Sequence, residues 1–186
     1  MNGFKIILLF SFSFAIVSKG DMNRFPPKTR EVKMDFKLFS PVFNDGEFIL
    51  SEYTCDGINI SPPLRWANPP EGTKSFALIV DDPDAPAGDW VHWIVFNIPA
   101  DVLELPQNCS PEHLPDGSVE GMNDFRRTNY GGPCPPSGTH RYFFKFYALD
   151  NSLSLKEGAT KKQLLESMKE HILAKVVLTG RYKRRS

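Results

Sequence analysis

Ser75-Phe76-Ala77-Leu78-Ile79-Val80 passes directly into Asp81-Asp82-Pro83-Asp84-Ala85-Pro86. A short apolar run that ends in turn-forming residues predicts a strand in the centre of a sheet. Residues 90–96 and 140–149 form two further apolar runs, and each lies beside a Pro/Gly-rich segment. Together the three runs predict a mainly β protein.

One helix and one terminal strand are predicted near the end of the chain. Thr160-Lys161-Lys162-Gln163 fits a capping box, which marks a helix start. Leu164, Leu165, Met168 and Ile172 follow at helical spacing, and residues 173–182 then form a last apolar strand. Residues 53–70 are expected to be mostly loop. Residues 97–139 are a long polar segment of the kind that is usually functional.

Composition limits the class of protein. The 186 residues, of which 41% are hydrophobic, favour one globular domain that can bury a core. The 22 basic residues balance 22 acidic residues, so we expect no nucleic acid partner bound through bulk charge.

The N-terminus has the features of a signal peptide. Lys5 precedes an apolar run at residues 6–17, and Ser18-Lys19-Gly20 offers a small-residue cleavage site. The run is shorter than the roughly 20 residues that a stable membrane span needs. We therefore predict a signal peptide at 1–20, a polar tail at 21–33, a single domain at 34–186, and export to a periplasm or the medium. An uncleaved anchor is the alternative.

Export would give the three cysteines a structural meaning. Cys55 and Cys134 both lie in turn-like segments flanked by Gly or Pro. An oxidising compartment favours one disulfide and one remaining thiol. We expect the Cys55–Cys134 pair, with three buried free thiols as the alternative.

Alternation along the strands groups the polar candidates, because residues i and i+2 share one face. Trp90 therefore lies with His92, and His140 lies with Tyr142. Asp82 and Asp84 share a face if the strand from Ser75 reaches them. We predict that these strand ends form one small polar cavity, and that His113 and His171 lie outside it.

Such a cavity suits a small anion. Imidazole and phenol groups donate to phosphate or carboxylate oxygens. The backbone N–H groups of Gly131-Gly132 could add an anion-binding concavity. The carboxylates would hold a cationic head group or would orient the imidazoles. The plainer alternative is that the aspartates cap turns and the histidines satisfy buried backbone.

Signals for catalysis are weak. The chain has no G-x-S-x-G motif and no H-E-x-x-H spacing, and Gly131-Gly132 is too short to be a nucleotide loop. We therefore expect no enzyme activity, no metal and no cofactor.

Several long motifs resemble the phosphatidylethanolamine-binding protein family, in its prokaryotic Raf-kinase-inhibitor-like branch. They are Tyr53-Thr54-Cys55-Asp56-Gly57, Asn59-Ile60-Ser61-Pro62-Pro63-Leu64, Asp82-Pro83-Asp84-Ala85-Pro86, Trp90-Val91-His92-Trp93, Tyr130-Gly131-Gly132-Pro133-Cys134-Pro135-Pro136 and His140-Arg141-Tyr142. The resemblance covers roughly residues 34–184. It implies a central antiparallel sheet packed on a smaller sheet, with a few peripheral helices.

The resemblance also implies a pocket for phosphate, acetate or phosphorylethanolamine-like groups. Its residues here would be Asp82, Asp84, Trp90, His92, Gly132, Pro135, His140 and Tyr142. We expect an exported protein that binds a small anion or phosphorylated head group. A secreted inhibitor of a protease or kinase is the alternative, and an Asp/His hydrolase is a lesser one. The branch usually has glycine after Phe125, where this chain has Arg126-Arg127, so loop shape or ligand preference is expected to differ.

Overall fold

A computed structural model describes residues 35–184. The predicted signal peptide (1–20) and polar tail (21–33) lie outside the described residues. Every element below falls within the predicted domain.

The described chain is built mainly from β-strands in two antiparallel sheets. The elements are β1 (Lys37–Phe39), a 3₁₀ helix (Ser51–Tyr53), β2 (Leu64–Ala67), β3 (Ser75–Asp82), β4 (Trp90–Pro99), β5 (Glu104–Leu105), β6 (Val119–Glu120), β7 (His140–Leu149), α1 (Lys161–Met168) and β8 (Ile172–Tyr182). The larger sheet has the order β6-β4-β3-β7-β8 and the smaller one β1-β2-β5. This arrangement confirms the predicted fold class.

Strand β3 is buried on both faces and separates two cores. Phe76, Leu78 and Val80 face the core shared with the smaller sheet, whereas Ala77 and Ile79 face the core shared with α1. Side chains of this size contribute roughly 1.5–3 kcal/mol each when fully buried. The continuous apolar run of β3 is therefore required by its position between two layers.

Two local predictions need correction. Strand β2 lies within residues 53–70, for which the sequence predicts mostly loop. It forms because Leu64 and Trp66 are buried while Arg65 is exposed, and this short alternation is obscured by the prolines before it. The helix begins with the predicted capping box at Thr160 but ends at Met168. Ile172 belongs to β8, because pairing with β7 outweighs a short helical pattern.

Three strand ends meet at one edge of the larger sheet. Asp82 at the end of β3 pairs with Trp90 at the start of β4, while β7 begins at His140 on the other side of β3. The β3–β4 register shifts here: Val80 opposes Trp93 but Asp81 opposes Val91. His92 is thus an extra residue on β4. Among residues 35–184, no helix has the length and apolar character needed to cross a membrane.

Candidate functional site

A cavity of about 250 Å³ lies where these strand ends meet. Most ligand sites have volumes of roughly 300–1,000 Å³, so this one suits a small ligand. Its lining comprises Asp82, Ala85, Pro86, Ala87, Trp90, His92, Phe125, Cys134, Pro135, Pro136 and His140. Five of the eight predicted site residues therefore line it: Asp82, Trp90, His92, Pro135 and His140.

His140 and Asp82 form a buried pair in this cavity. The Nδ1 atom of His140 lies 2.7 Å from Oδ2 of Asp82, and the two side chains are only 9% and 4% exposed. A carboxylate only accepts hydrogen bonds, so Nδ1 carries the proton. Nε2 is then the nitrogen that can meet a ligand.

His92 is anchored in the same way, but by backbone. Its Nδ1 lies 2.7 Å from the carbonyl oxygen of Gly131, which also only accepts. Burial lowers the pKa of His92 from its ordinary value, against smaller contributions from this carbonyl and from the charge of Asp82. The neutral ring, with its lone pair at Nε2, is therefore favoured before a ligand binds.

Tyr142 packs against the His92 ring and does not line the cavity. Its ring meets that of His92 edge to face, with centroids 5.1 Å apart. Its buried hydroxyl has no hydrogen-bond partner of good geometry among the described residues. Burial, followed by the charge of Asp82, raises its pKa. Tyr142 is thus a protonated phenol that supports the imidazole.

Phe125 supplies a wall that sequence reasoning did not assign. Its ring centroid lies 5.5 Å from that of Trp90 and 5.3 Å from that of His92, both edge to face. The one sequence feature that could have indicated this contact is Gly131, because glycine allows another side chain to approach the backbone closely. A Cβ atom there would lie 2.6 Å from the Phe125 ring, so glycine allows the close packing.

The glycine pair does not form the anion-binding concavity that its sequence suggested. The Gly131 amide donates to the carbonyl of His92 at 3.0 Å, and the Gly132 amide donates to Oδ1 of Asn59 at 2.8 Å. Because both N–H groups are used inside the protein, neither remains for an anion. Gly132 instead permits a close approach, since an added Cβ would lie 2.4 Å from the Asn59 side chain and 2.6 Å from backbone.

Asp84 lies beside the cavity and does not share the face of Asp82 in a strand, because β3 ends at Asp82. The Asp84 amide donates to Oδ1 of Asp82 at 2.8 Å, which shapes the turn. The Asp84 carboxylate accepts from Arg141 through Nε at 2.9 Å, Nη2 at 2.7 Å and the backbone amide at 3.0 Å. The Arg141 hydrogen bonds lower the pKa of Asp84 to about 2.

The predicted disulfide between Cys55 and Cys134 is present. Cys134 belongs to the cavity lining, and the Cys55 amide donates to the carbonyl of Pro133 at 3.1 Å. The bond therefore ties one cavity wall to a segment far away in sequence. Cys109 is a buried free thiol whose pKa burial raises to about 11.

The loop that carries Phe125 has an unusual backbone. Arg126 has φ = +61°, a left-handed conformation that favours glycine. The Asn123 side chain fixes this loop, because its Oδ1 accepts from the Arg127 amide at 3.0 Å and its Nδ2 donates to the carbonyl of Asn129 at 2.7 Å. The loop thus adopts a conformation suited to glycine, although arginine occupies the position.

Other concavities offer less chemistry. A groove of about 1020 Å³ runs past Glu120, Arg126 and Lys156, but no imidazole lines it. Within the described part of the chain, no cluster of three or more His, Cys, Asp or Glu side chains is arranged to hold a metal.

The two-sheet fold and the small imidazole-lined cavity define a class of antiparallel β proteins with a pocket at the strand ends. The chain belongs to the phosphatidylethanolamine-binding protein family, whose model matches residues 39–183.

Relatives span most of the chain. A UPF0098 protein of Methanothermobacter thermautotrophicus is 55% identical over 79% of this chain and 98% of its own. The crystal structure of the homologue CT736 from Chlamydia trachomatis has a TM-score of 0.75 and 42% identity, covering 81% of this chain and 98% of its own. The crystal structure of E. coli YbcL, described as a new member of the mammalian phosphatidylethanolamine-binding protein (PEBP) family, has a TM-score of 0.77 and 36% identity. The match covers 82% of this chain and 100% of YbcL.

Proposed function

We propose that this protein binds a small phosphate-type anion or phosphorylated head group in the cavity, without turnover. One observation carries the proposal: His92 and His140 are both held at Nδ1 by the protein and both line the same small cavity.

The two imidazoles have complementary hydrogen-bonding roles: His140 can donate to a ligand and His92 can accept from it. When His140 is protonated, its Nε2–H donates to an anionic oxygen, while the Asp82 carboxylate accepts from its Nδ1–H and balances the charge. Neutral His92 accepts at Nε2 and can therefore receive a hydrogen bond from a phosphate hydroxyl. A phosphate or phosphate monoester that retains one proton offers both an acceptor and a donor.

The cavity lining supports binding more than catalysis. Its one aspartate, Asp82, is occupied by His140, and its one cysteine, Cys134, is disulfide-bonded. No serine, threonine or lysine of the described chain belongs to the lining. Apart from the two imidazoles, the side chains that usually serve as nucleophiles are thus missing from this lining or already engaged. Inhibition of a protease or kinase through protein contact, and hydrolysis, stay as alternative predictions.

We also propose export after removal of residues 1–20. The Cys55–Cys134 disulfide supports this, because such bonds persist mainly in oxidising compartments. Expression of the full chain in a secreting host, followed by intact mass measurement, tests it. The exported fraction should lack residues 1–20 and contain one reducible disulfide, whereas an uncleaved chain retained by the cells would contradict the proposal.

Calorimetric titration with inorganic phosphate and phosphorylethanolamine tests the binding. His140→Gln and His92→Gln should each weaken affinity by roughly tenfold or more, since charge-assisted hydrogen bonds contribute about 1.5–3 kcal/mol. His171→Gln is the matched control, because its Nδ1 also lies 2.8 Å from a carboxylate, that of Asp150, but outside the cavity.

The control variant should bind phosphate like the wild type. Hydrolysis of a phosphate monoester is followed in parallel, and none is expected. No saturable binding, or turnover that disappears in both cavity variants, would refute the proposal.

A further inference from the structure

The charges around the cavity point to a ligand class narrower than a generic head group. Building on the proposed function, we propose that the site prefers phosphate ligands with a second negative charge about two carbons away and disfavours those with an ammonium there. Arg127 is the residue that we assign to this selection.

An ammonium group would find no unpaired carboxylate on the segment that forms the cavity wall. All of its aspartates already have a side-chain partner: Asp81 has Lys145 and Lys161, Asp82 has the His140 imidazole, Asp84 has Arg141, and Asp89 has Lys161. The Asp84 pair is bidentate, which is the strong form of an arginine–carboxylate contact. The expectation that these carboxylates hold a cationic head group is therefore not supported by their pairing.

The acid on the Phe125 loop lies outside the cavity lining and is also hydrogen-bonded. Asp124, next to Phe125, accepts from the Val91 amide at 2.6 Å. A zwitterionic ligand would thus place its ammonium where each neighbouring carboxylate already has a partner. Displacing one of those partners would cost more than an exposed ion pair returns.

A cation, in contrast, is available close to the cavity. The Arg127 guanidinium carbon lies 5.7 Å from the centroid of Phe125, the ring that lines the cavity and lies 5.3 Å from the His92 ring. Arg127 is exposed and makes no ion pair within residues 35–184. Its backbone is fixed by Asn123 on both sides, because Asn123 accepts from the Arg127 amide and donates its own amide to the Arg127 carbonyl.

A residue that distinguishes ligands by charge needs a fixed backbone and a guanidinium that is not ion-paired. Arg127 lines the neighbouring groove of about 1020 Å³, with its guanidinium beside the Phe125 ring that lines the cavity. Its long side chain can turn from there toward a ligand that emerges past Phe125. A carboxylate or second phosphate on the ligand would be attracted, whereas an ammonium would be repelled.

Two ligands of similar size isolate the effect. Phosphoglycolate and phosphorylethanolamine each carry two carbons beyond the phosphate oxygen, but one ends in a carboxylate and the other in an ammonium. Inorganic phosphate is the reference. We expect phosphoglycolate to bind the wild type about threefold or more tighter than phosphate, and phosphorylethanolamine to bind no tighter than phosphate.

Arg127→Gln should remove the advantage of phosphoglycolate and leave the affinity for phosphate nearly unchanged. Arg126→Gln is the matched control, because it removes the same charge at the adjacent position without the contact to Phe125. It should preserve the order of the ligands. Thermal unfolding of both variants without ligand shows whether either substitution alters the fold.

The outcomes separate the two proposals. If none of the three ligands binds, the proposed function itself fails. If phosphate binds but phosphorylethanolamine is preferred over phosphoglycolate, only the present inference is overturned. The same holds if Arg127→Gln keeps the wild-type preference, or if Arg126→Gln abolishes it equally. Loss of the preference in Arg127→Gln alone supports the assignment.

Discussion

Removing the Cys55–Cys134 disulfide should destabilise the protein by several kcal/mol. The bond joins residues 79 apart in sequence. In the chain-entropy model, closing a loop of that length removes enough freedom from the unfolded chain to contribute about 4.5 kcal/mol at 25 °C. This value is a large fraction of the stability of a single domain, which is about 5–15 kcal/mol.

The variant is Cys55→Ala/Cys134→Ala, which leaves the buried Cys109 in place. Urea unfolding should give a lower free energy of unfolding by roughly 3–5 kcal/mol. The urea dependence should become steeper, because an unfolded chain without the cross-link exposes more surface. A reducing agent should lower the unfolding midpoint of the wild type to that of the variant and should leave the variant unchanged.

The same bond fixes a wall of the cavity, since Cys134 belongs to its lining. Phosphate affinity should therefore fall in the double variant even under conditions where it remains folded. A loss of less than about 1 kcal/mol in unfolding free energy would refute the loop-closure reasoning. It would mean that the folded contacts alone hold Pro133 and Cys134 against the segment around Cys55.

Three further predictions concern the segments around the site. Gly132→Ala should lower the free energy of unfolding by about 2–4 kcal/mol, because its Cβ would meet backbone. Gly138→Ala is the control, since it has open space but a φ of +70°, and it should cost only about 1 kcal/mol in thermal or urea unfolding. Equal effects of the two substitutions would contradict the predicted clash. Arg126→Gly should match or exceed wild-type stability in the same assay, since it relieves a left-handed arginine, and a clear loss would argue against strain. Arg141 lowers the pKa of Asp84 to about 2. The stabilising contribution of Asp84 is therefore present above about pH 4 and is lost as the pH falls toward 2. The difference in unfolding free energy between wild type and Asp84→Asn should shrink over that range, and a constant difference would show that the ion pair is not responsible.

Much of the fold could be predicted from local pattern. The apolar runs before Asp81 and after His140 form the central strands because a strand buried on both faces needs continuous apolar residues. Alternation also placed His140 and Tyr142 on one face, and Thr160 began the helix as its capping box indicated. The short strand β2 was not recognised, because four residues carry too little periodicity.

The sequence predicted which residues lie at the site better than what each of them does there. Asp82, His92 and His140 meet as expected, and Trp90 and Pro135 join them. Phe125 was not assigned, because its position in the wall depends on packing against a glycine in a separate segment.

Short-range periodicity was enough to predict the long strands, the faces of their side chains and the residues that could meet an anion. What those residues do depends on contacts that form only in the folded protein. Asp84 is neutralised by Arg141, 57 residues away, and the Gly132 amide is taken by Asn59, 73 residues away. The shift of register at His92 also arises from the pairing of two strands. Hydrogen bonds and ion pairs between distant segments depend on how the strands align, and that alignment exists only once the sheet has formed.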